Sequence, residues 1–286
     1  SKIVSRFSNR VNSSWLLVAL KPSHGWALFI FGIAAVLRIS YAVAAPYVDP
    51  FLIRDPLLGD AASYDRIART LLATSEYAEV AGSPSTFWPP LYPMYLALIY
   101  GVFGHQLIVA RLFQAVLGAL LPMFVYLAIE RLQHPWIARW VALGLVIYPY
   151  LVYFGAWLIA ESLFFALFGA ILWLGARMQQ RPAKSTATLL GVVLGLTALA
   201  KPTLLMQLPL FAIWFLWCLP GSFIQRFKLG LLTALVTCAV IAPWTLRNYA
   251  LLRAFVPIST NGGYTFYGAN NPNAFGGHYE NFPSRL

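Results

Sequence analysis

The residue best suited to chemistry is an acid, Asp60, which lies in a long polar and aromatic segment between two apolar stretches. It follows Gly59 within residues 49–90. Further along the chain, isolated basic residues stand at the ends of apolar segments, most clearly Lys201 and Arg247. A carboxylate can accept a proton from a hydroxyl group, and cations hold phosphate through charge-assisted hydrogen bonds. These residue types predict chemistry on a lipid-linked anion at a membrane surface.

The composition requires a membrane environment. The chain is 60% hydrophobic and 10% charged, with a mean hydropathy of +0.69, whereas a soluble domain carries about 25% charged residues. Its apolar residues form long runs, and a membrane barrel would show short alternating segments instead. The sequence therefore predicts an all-α integral membrane protein with about seven transmembrane helices.

The apolar runs place these crossings. They are predicted at residues 26–48, 106–132, 136–154, 157–176, 185–200, 203–219 and 229–249. The run 91–103 falls short of the roughly 20 residues that a crossing needs, so we expect it to lie at the interface. The chain then divides into a basic arm (1–25), a membrane module (26–256) with an outer loop (49–105), and an external tail (257–286).

Basic residues are distributed unequally between the two faces that this topology predicts. The face of the N-terminal arm has eleven basic residues and one acid, Glu130, and the opposite face has eight basic residues and eight acids. Arg38 lies within the first span, where it could pair with an acid or stabilise helix packing. The positive-inside rule therefore predicts a cytoplasmic N-terminus and places the loop of Asp60 and the C-terminal tail outside.

The residues after Gly59 predict an amphipathic helix at the membrane surface, because apolar residues recur there at helical spacing. Asp60 is expected near its N-cap, with Tyr64 one turn further on. One interpretation makes Asp60 only a helix cap and Asp65 a solvated charge. The other makes Asp60 a general base, since a carboxylate beside apolar surface has a raised pKa. Tyr64 is predicted to contact the substrate.

Trp88 and Tyr92 flank a rigid stretch that contains Pro89 and Pro90, which fix an extended entry into a helix. Both aromatic residues are predicted to contact substrate. An interfacial aromatic belt explains them equally well.

Glu161 lies near the start of the fourth predicted span, where an acid is costly and marks a candidate functional site. The alternative is a structural ion pair with Arg111 or Lys201. The sequence requires neither a metal nor any other cofactor, although Asp60 and Glu161 could together hold a divalent ion.

Three cations are predicted to bind a phosphate group: Lys201, Arg247 and Arg111. Each alone could instead be a residue whose charged end reaches the membrane surface from a helix end. Asn248, beside Arg247, is predicted to contact substrate. So are Asn261 and Asn270 in the turn-rich tail, where an ordinary external loop is the alternative.

The chain resembles a known family at several short stretches that occur in the family's order. It is similar to the GT-C fold glycosyltransferases, specifically the bacterial family 39 enzymes, which include relatives of protein O-mannosyltransferases and of the aminoarabinose transferases that modify lipid A. The stretches that carry the resemblance are residues 59–64, 89–93, 110–112, the region of Glu161, 200–203, 243–248 and 259–273. Members of that family usually run longer, with further spans.

This resemblance implies that Asp60 is the catalytic residue and that the donor is a sugar on polyprenyl phosphate. It also implies a hexosyl or pentosyl transfer, with inversion, to a lipid, glycan or protein acceptor. The protein would then lie in a bacterial inner membrane with its site on the periplasmic face. No nucleic-acid partner is expected.

Two other functions remain open. A transporter or flippase of a lipid-linked sugar would use intramembrane charges as a pathway, although we find no inverted repeat in the sequence. A non-catalytic subunit of a glycosyltransferase complex would need no chemistry of its own.

Overall fold

The computed structural model describes residues 24–57, 59–132 and 134–272, and this part of the chain is mostly helical. The described residues also contain one isolated antiparallel β-bridge, between Ala78 and Pro84. The predicted basic arm lies almost wholly outside the described residues, as do residues 273–286 of the predicted tail. The helices are α1 (His24–Val48), α2 (Pro50–Arg54), α3 (Asp60–Thr74), α4 (Leu91–Phe103), α5 (Leu107–Leu132), α6 (Pro135–Ile147), α7 (Pro149–Tyr153), α8 (Glu161–Gln180), α9 (Lys184–Ala200), a 3₁₀ helix (Pro202–Gln207), α10 (Leu208–Cys218), α11 (Phe223–Leu252) and α12 (Asn261–Ala269).

Four described helices are long and apolar enough to cross a membrane, which identifies an integral membrane protein. They are Gly25–Val48, Leu107–Leu132, Glu161–Gln180 and Phe223–Leu252. The other three predicted crossings fall on shorter apolar helices, so the count of seven stays a prediction.

Proline residues mark where two of the shorter apolar helices end. The predicted span 136–154 ends as a helix at Ile147, because Tyr148 is extended before Pro149 and a residue that precedes proline avoids the helical region. Likewise Pro202 separates α9 from a 3₁₀ turn, since proline cannot continue the hydrogen-bond ladder of a preceding helix. The fourth span, predicted from residue 157, begins as a helix only at Glu161.

Arg38 stabilises the broken end of α6. Its guanidinium is buried in the bundle and donates to the carbonyls of Leu145 (3.2 Å) and Val146 (3.3 Å) in the last turn of that helix. These carbonyls have no partner within the helix and carry its negative dipole end. Of the two roles predicted for Arg38, the structure therefore supports helix packing, and its described hydrogen bonds include no acid.

A close helix contact in the bundle joins α9 to α11 through small residues. A Cβ atom at Gly191 would lie 2.6 Å from the Thr233 carbonyl, and one at Gly195 would lie 2.6 Å from the Val240 Cβ. Thr233 and Thr237 donate their hydroxyls across this contact to backbone carbonyls of α9. Glycines four residues apart, with hydroxyls bonding across helices, are a common way to pack helices in membranes.

We expect Gly195→Ala to destabilise the protein by about 1–3 kcal/mol, because the new methyl group overpacks a contact in which neither backbone can move freely. Thermal unfolding in detergent measures this loss. Gly144→Ala in α6 is the matched control, since a Cβ there meets nothing within 4 Å. Equal melting temperatures for the two variants would contradict the close packing.

The two ends of the helix bundle differ in the segments and side-chain contacts found there. At one end, which we call the loop end, segments that contain residues 49–57, 75–90, 154–161 and 256–260 meet the ends of several helices. Contacts that define it join Trp157 to Asp49, Arg111 to Pro56, and Arg247 to Ser85. At the opposite end Arg131 bonds with Gln180, and Arg139 stacks on Trp26.

Helix α4 is short, and both of its flanks contact the loop end. Trp88, just before it, donates to Glu79, and His105, just after it, contacts Asp65. With only 13 residues, α4 is shorter than a crossing needs and packs on α3, and its place at the membrane interface stays a prediction.

Candidate functional site

Asp60 opens α3 at the loop end. Gly59 is the N-cap residue, with a φ of +64° that favours glycine, and Asp60 is the first residue of the helix. Its side chain is exposed, and a carboxylate in a first turn is stabilised by the positive end of the helix dipole. The local sequence thus presents an accessible carboxylate on a rigid turn.

Tyr64 lies one turn beyond Asp60 and joins it to other predicted residues. Its buried ring packs edge-on against Trp88 and Tyr92, with ring centroids 5.1 Å away in each case. Burial raises the pKa of Tyr64, and the negative charges of Asp60 and Glu161 raise it further. Both carboxylates therefore lie within electrostatic reach of the same phenol group.

Glu161 forms an ion pair with Lys201, one of the two partners predicted for it. The Lys201 Nζ lies 2.6 Å from the Glu161 Oε1, and both side chains are partly exposed, at 35% and 20%. Glu161 is the first residue of α8, and Lys201 follows the last residue of α9. The ammonium also lies 5.9 Å from the centre of the Phe164 ring. The structure thus brings Asp60, Glu161 and Lys201 to a common region around Tyr64.

Arg247 lies against Tyr77, with its guanidinium 5.3 Å from the centre of that ring. Its two terminal nitrogens donate to the carbonyls of Ser85 (2.8 Å) and Tyr77 (3.2 Å), and its guanidinium stacks 4.4 Å from the Trp244 ring. Burial raises the pKa of Tyr77, nearby Tyr64 raises it further, and the Arg247 charge lowers it. Tyr77 thus links the predicted base region to Arg247.

Three other predicted site residues are buried and bonded to protein groups. Arg111 donates to the Pro56 carbonyl (3.0 Å), just before the segment of Gly59. Tyr92 donates its hydroxyl to Gln114. Asn248 donates to the carbonyls of Val256 (3.3 Å) and Ile258 (2.9 Å). In the structure Arg111 and Asn248 hold loop-end segments and Tyr92 bonds to α5, and the predicted contacts of all three with phosphate or substrate stay predictions.

Trp88 is held by a carboxylate that the sequence analysis did not select. Its indole N–H donates to Glu79 (2.9 Å), which also accepts from Arg66 (2.6 Å). Burial alone would raise the pKa of Glu79, but the donors on Arg66 and Trp88 outweigh it and leave that pKa lowered. Glu79 therefore stays ionised and fixes the indole that packs on Tyr64.

The described part of the predicted tail contains a helix. Residues Asn261–Ala269 form α12, and the backbone N–H of Thr260 donates to the Thr86 carbonyl. Asn261 begins this helix and accepts from Ser259, whereas Asn270 is exposed and donates to Phe266. Asn261 thus lies at the loop end, where the ring of Tyr264 in the same helix contacts Phe87.

Asp65 is not the solvated charge that one interpretation of the sequence expected. It is buried, and it accepts from Tyr100 and Arg69 and contacts His105. Arg69 is a local partner four residues away, but Tyr100 and His105 lie 35 and 40 residues away, which no local pattern reveals.

The described residues contain no group of three or more His, Cys, Asp or Glu side chains placed to hold a metal ion. The only acidic pair that the sequence suggested for a metal was Asp60 with Glu161, and Glu161 is bonded to Lys201. The prediction that no cofactor is needed stays a prediction.

A comparison with protein families matches residues 88–246 to the family described as dolichyl-phosphate-mannose-protein mannosyltransferase. The match includes Trp88, Glu161 and Lys201, and it begins after Asp60. No curated protein and no solved structure gives a match. The finer likeness, to family 39 and to aminoarabinose transferases, stays a prediction. Because the match covers more than half of the chain, this protein belongs to the dolichyl-phosphate-mannose-protein mannosyltransferase family of membrane glycosyltransferases.

Proposed function

We propose that this protein transfers a sugar, with inversion, from a polyprenyl-phosphate donor to an acceptor on the outer face of the membrane. The observation that carries the proposal is the Lys201–Glu161 pair, which shares with Asp60 the surroundings of Tyr64. The family description, which names a lipid-phosphate sugar, supports this class of donor. The excess of basic residues at the other face supports an outward-facing site.

In this mechanism Asp60 takes the proton from an acceptor hydroxyl or amine. The acceptor atom bonds to the anomeric carbon from the side opposite the phosphate. The bond between that carbon and the phosphate oxygen breaks, and its electron pair leaves with the polyprenyl phosphate. Asn261 and Asn270 contact the sugar or the acceptor.

Lys201 stabilises the charge that develops on the leaving phosphate. An ammonium has three donors, so Lys201 can keep its bond to Glu161 while it donates to a phosphate oxygen. Arg247 contributes positive charge and the remaining N–H groups of its guanidinium, since its terminal nitrogens already bond to Ser85 and Tyr77. Buried Arg111 contributes charge from further away. Preorganised charge of this kind is often the largest catalytic term.

An apolar path leads from Lys201 into the bundle and suits the isoprenoid tail of such a donor. Phe164, beneath the Lys201 ammonium, stacks on Phe168 with ring centroids 5.9 Å apart. Phe168 in turn lines a cavity of about 360 Å³ between α8, α9 and α10. At 1.5 Å per residue, the α8 side of this cavity runs from about 10 Å to about 27 Å beyond Glu161.

Filling this cavity should weaken binding of donors with long tails only. Gly175 lines it, and a Cβ there would lie 3.6 Å from Trp214, so the rest of a leucine side chain would extend into the cavity. We expect Gly175→Leu to raise KM for a long-chain donor about tenfold, the loss of roughly 1.4 kcal/mol of tail burial. A donor with a tail of two isoprene units should be unaffected.

The control is Gly32→Leu on α1, where a Cβ meets nothing within 4 Å. An equal rise in KM for the short-chain and long-chain donors would place the tail elsewhere.

The proposed function is tested with purified protein, a radiolabelled polyprenyl-phosphate sugar and membrane extract as the source of acceptor. Transfer of label from the lipid to an acceptor supports the proposal. Movement of intact labelled lipid across a sealed bilayer, without transfer, would favour a flippase. Neither activity alone, with transfer restored by a second polypeptide, would indicate a non-catalytic subunit.

A further inference from the structure

A buried carboxylate on α3 connects the helix of Asp60 to two neighbouring segments. Asp65 is 1% exposed. Its Oδ1 accepts from the Tyr100 hydroxyl (2.9 Å) and lies 2.7 Å from the His105 Nε2, and its Oδ2 accepts from the Arg69 Nε (2.8 Å). Tyr100 belongs to α4, and His105 lies in the turn between α4 and α5. These four residues form what we call the Asp65 cluster.

The geometry of α3 separates Asp65 from Asp60. Five residues at 3.6 residues per turn rotate a side chain by about 140° around the helix. Asp60 is accordingly exposed while Asp65 is buried. Any rotation of α3 about its axis would turn both carboxylates together, so the groups that hold Asp65 also fix the direction of Asp60.

Two of the three donors to Asp65 belong to neighbouring elements, and the third lies on α3 itself. Arg69 lies four residues after Asp65 on the same helix and moves with it. Tyr100 and His105 are fixed to α4 and to the turn before α5, and their rings pack edge-on at 4.8 Å. The two cross-element donors therefore set the orientation of α3, whereas Arg69 mainly balances the buried charge.

We propose that Asp65, through Tyr100 and His105, is a positioning residue that aims Asp60 at the reacting centre. This inference rests on the proposed function, because it assigns the cluster to the action of Asp60. The Asp65 cluster contacts neither the donor phosphate nor the donor tail. Loss of the cluster should thus lower the rate of transfer while it leaves donor binding nearly intact.

The test compares His105→Ala, His105→Gln and Arg69→Ala in the full chain. Misplacing a catalytic group by about 1 Å can cost on the order of 10²-fold in rate, so we expect His105→Ala to lower kcat at least tenfold. KM for the donor should change less than about twofold. His105→Gln keeps an N–H donor at a similar reach and should restore most of kcat, and Arg69→Ala should cost less than His105→Ala.

Hydrogen exchange provides a readout that does not depend on activity. In His105→Ala the amides of α3 should exchange faster, while those of α8 stay unchanged. The positioning role would be overturned if the amide exchange of α3 were unchanged in His105→Ala. It would also be overturned if His105→Ala changed only KM, or if Arg69→Ala lowered kcat as much as His105→Ala. An inactive wild-type protein whose α3 loosens in His105→Ala would instead refute the proposed transfer and leave the structural coupling standing.

Discussion

Asp60→Asn is expected to lower the rate of sugar transfer by about 10²–10⁴-fold, the range that general base catalysis contributes. The amide keeps the size of the side chain but cannot take the proton of the acceptor. Because Asp60 is exposed in the first turn of α3, the loss of its charge should cost only about 0.3–1 kcal/mol of helix stability. Initial rates with a lipid-linked donor measure the effect, and thermal unfolding checks the fold.

The matched control is Glu76→Gln, in the loop that follows the same helix. Glu76 accepts from the backbone N–H of Gly82, and a glutamine oxygen can keep that bond. The Glu76→Gln variant should transfer sugar at a rate within about twofold of the wild type, because Glu76 acts only within the loop. Near-normal transfer by a well-folded Asp60→Asn protein would remove Asp60 from the mechanism.

Lys201→Gln is expected to lower the rate about 10²-fold, because it removes a donor that faces the developing phosphate charge. It also leaves Glu161 without its ion-pair partner, so a carboxylate then repels the phosphate. For this reason, the double variant Lys201→Gln/Glu161→Gln should be faster than Lys201→Gln alone. A double-mutant cycle on the transfer rate measures this coupling.

Lys184→Gln, at the other end of α9, serves as the control and should transfer at the wild-type rate. If the double variant is slower than Lys201→Gln by the full effect of Glu161→Gln, the two residues act independently. That result would contradict a phosphate site built on this ion pair.

The sequence predicted the class of fold better than it predicted individual contacts, and the side of the membrane that each end faces stays a prediction. Hydropathy and the distribution of basic residues follow from composition along the chain. They therefore indicated a helical membrane protein whose candidate site residues gather at one end. The pairing of Glu161 with Lys201 was one of two stated alternatives. Chain order alone could not choose between Lys201 and Arg111.

The roles of Arg111 and Asn248 were harder to predict, because they depend on partners that are distant in sequence or on the path of a loop. Arg111 bonds to Pro56, 55 residues away, and Asn248 bonds to the turn that follows its own helix. Tyr77 was missed because an aromatic residue in a polar loop has no distinctive spacing. Its signal appears only where its ring meets Trp244 and Arg247.

The positions where helices end were also hard to predict from the sequence. Pro149 was visible in the sequence, but apolar runs on both sides of it suggested one continuous span, 136–154. At Pro202 the predicted crossings, 185–200 and 203–219, were already separate. Whether a proline ends a membrane helix depends on what satisfies the exposed carbonyls. For α6 this group is Arg38, which lies 107 residues from Leu145.

The most direct test of the account is an experimental structure of the protein with a polyprenyl phosphate bound. We predict that the phosphate lies at hydrogen-bond distance, about 2.7–2.9 Å, from the Lys201 Nζ, on the side that faces Asp60. The tail should pass Phe164 and enter the cavity beside Gly175. A phosphate bound away from Lys201, or an Asp60 carboxylate that points away from the space next to the phosphate, would contradict the proposed site.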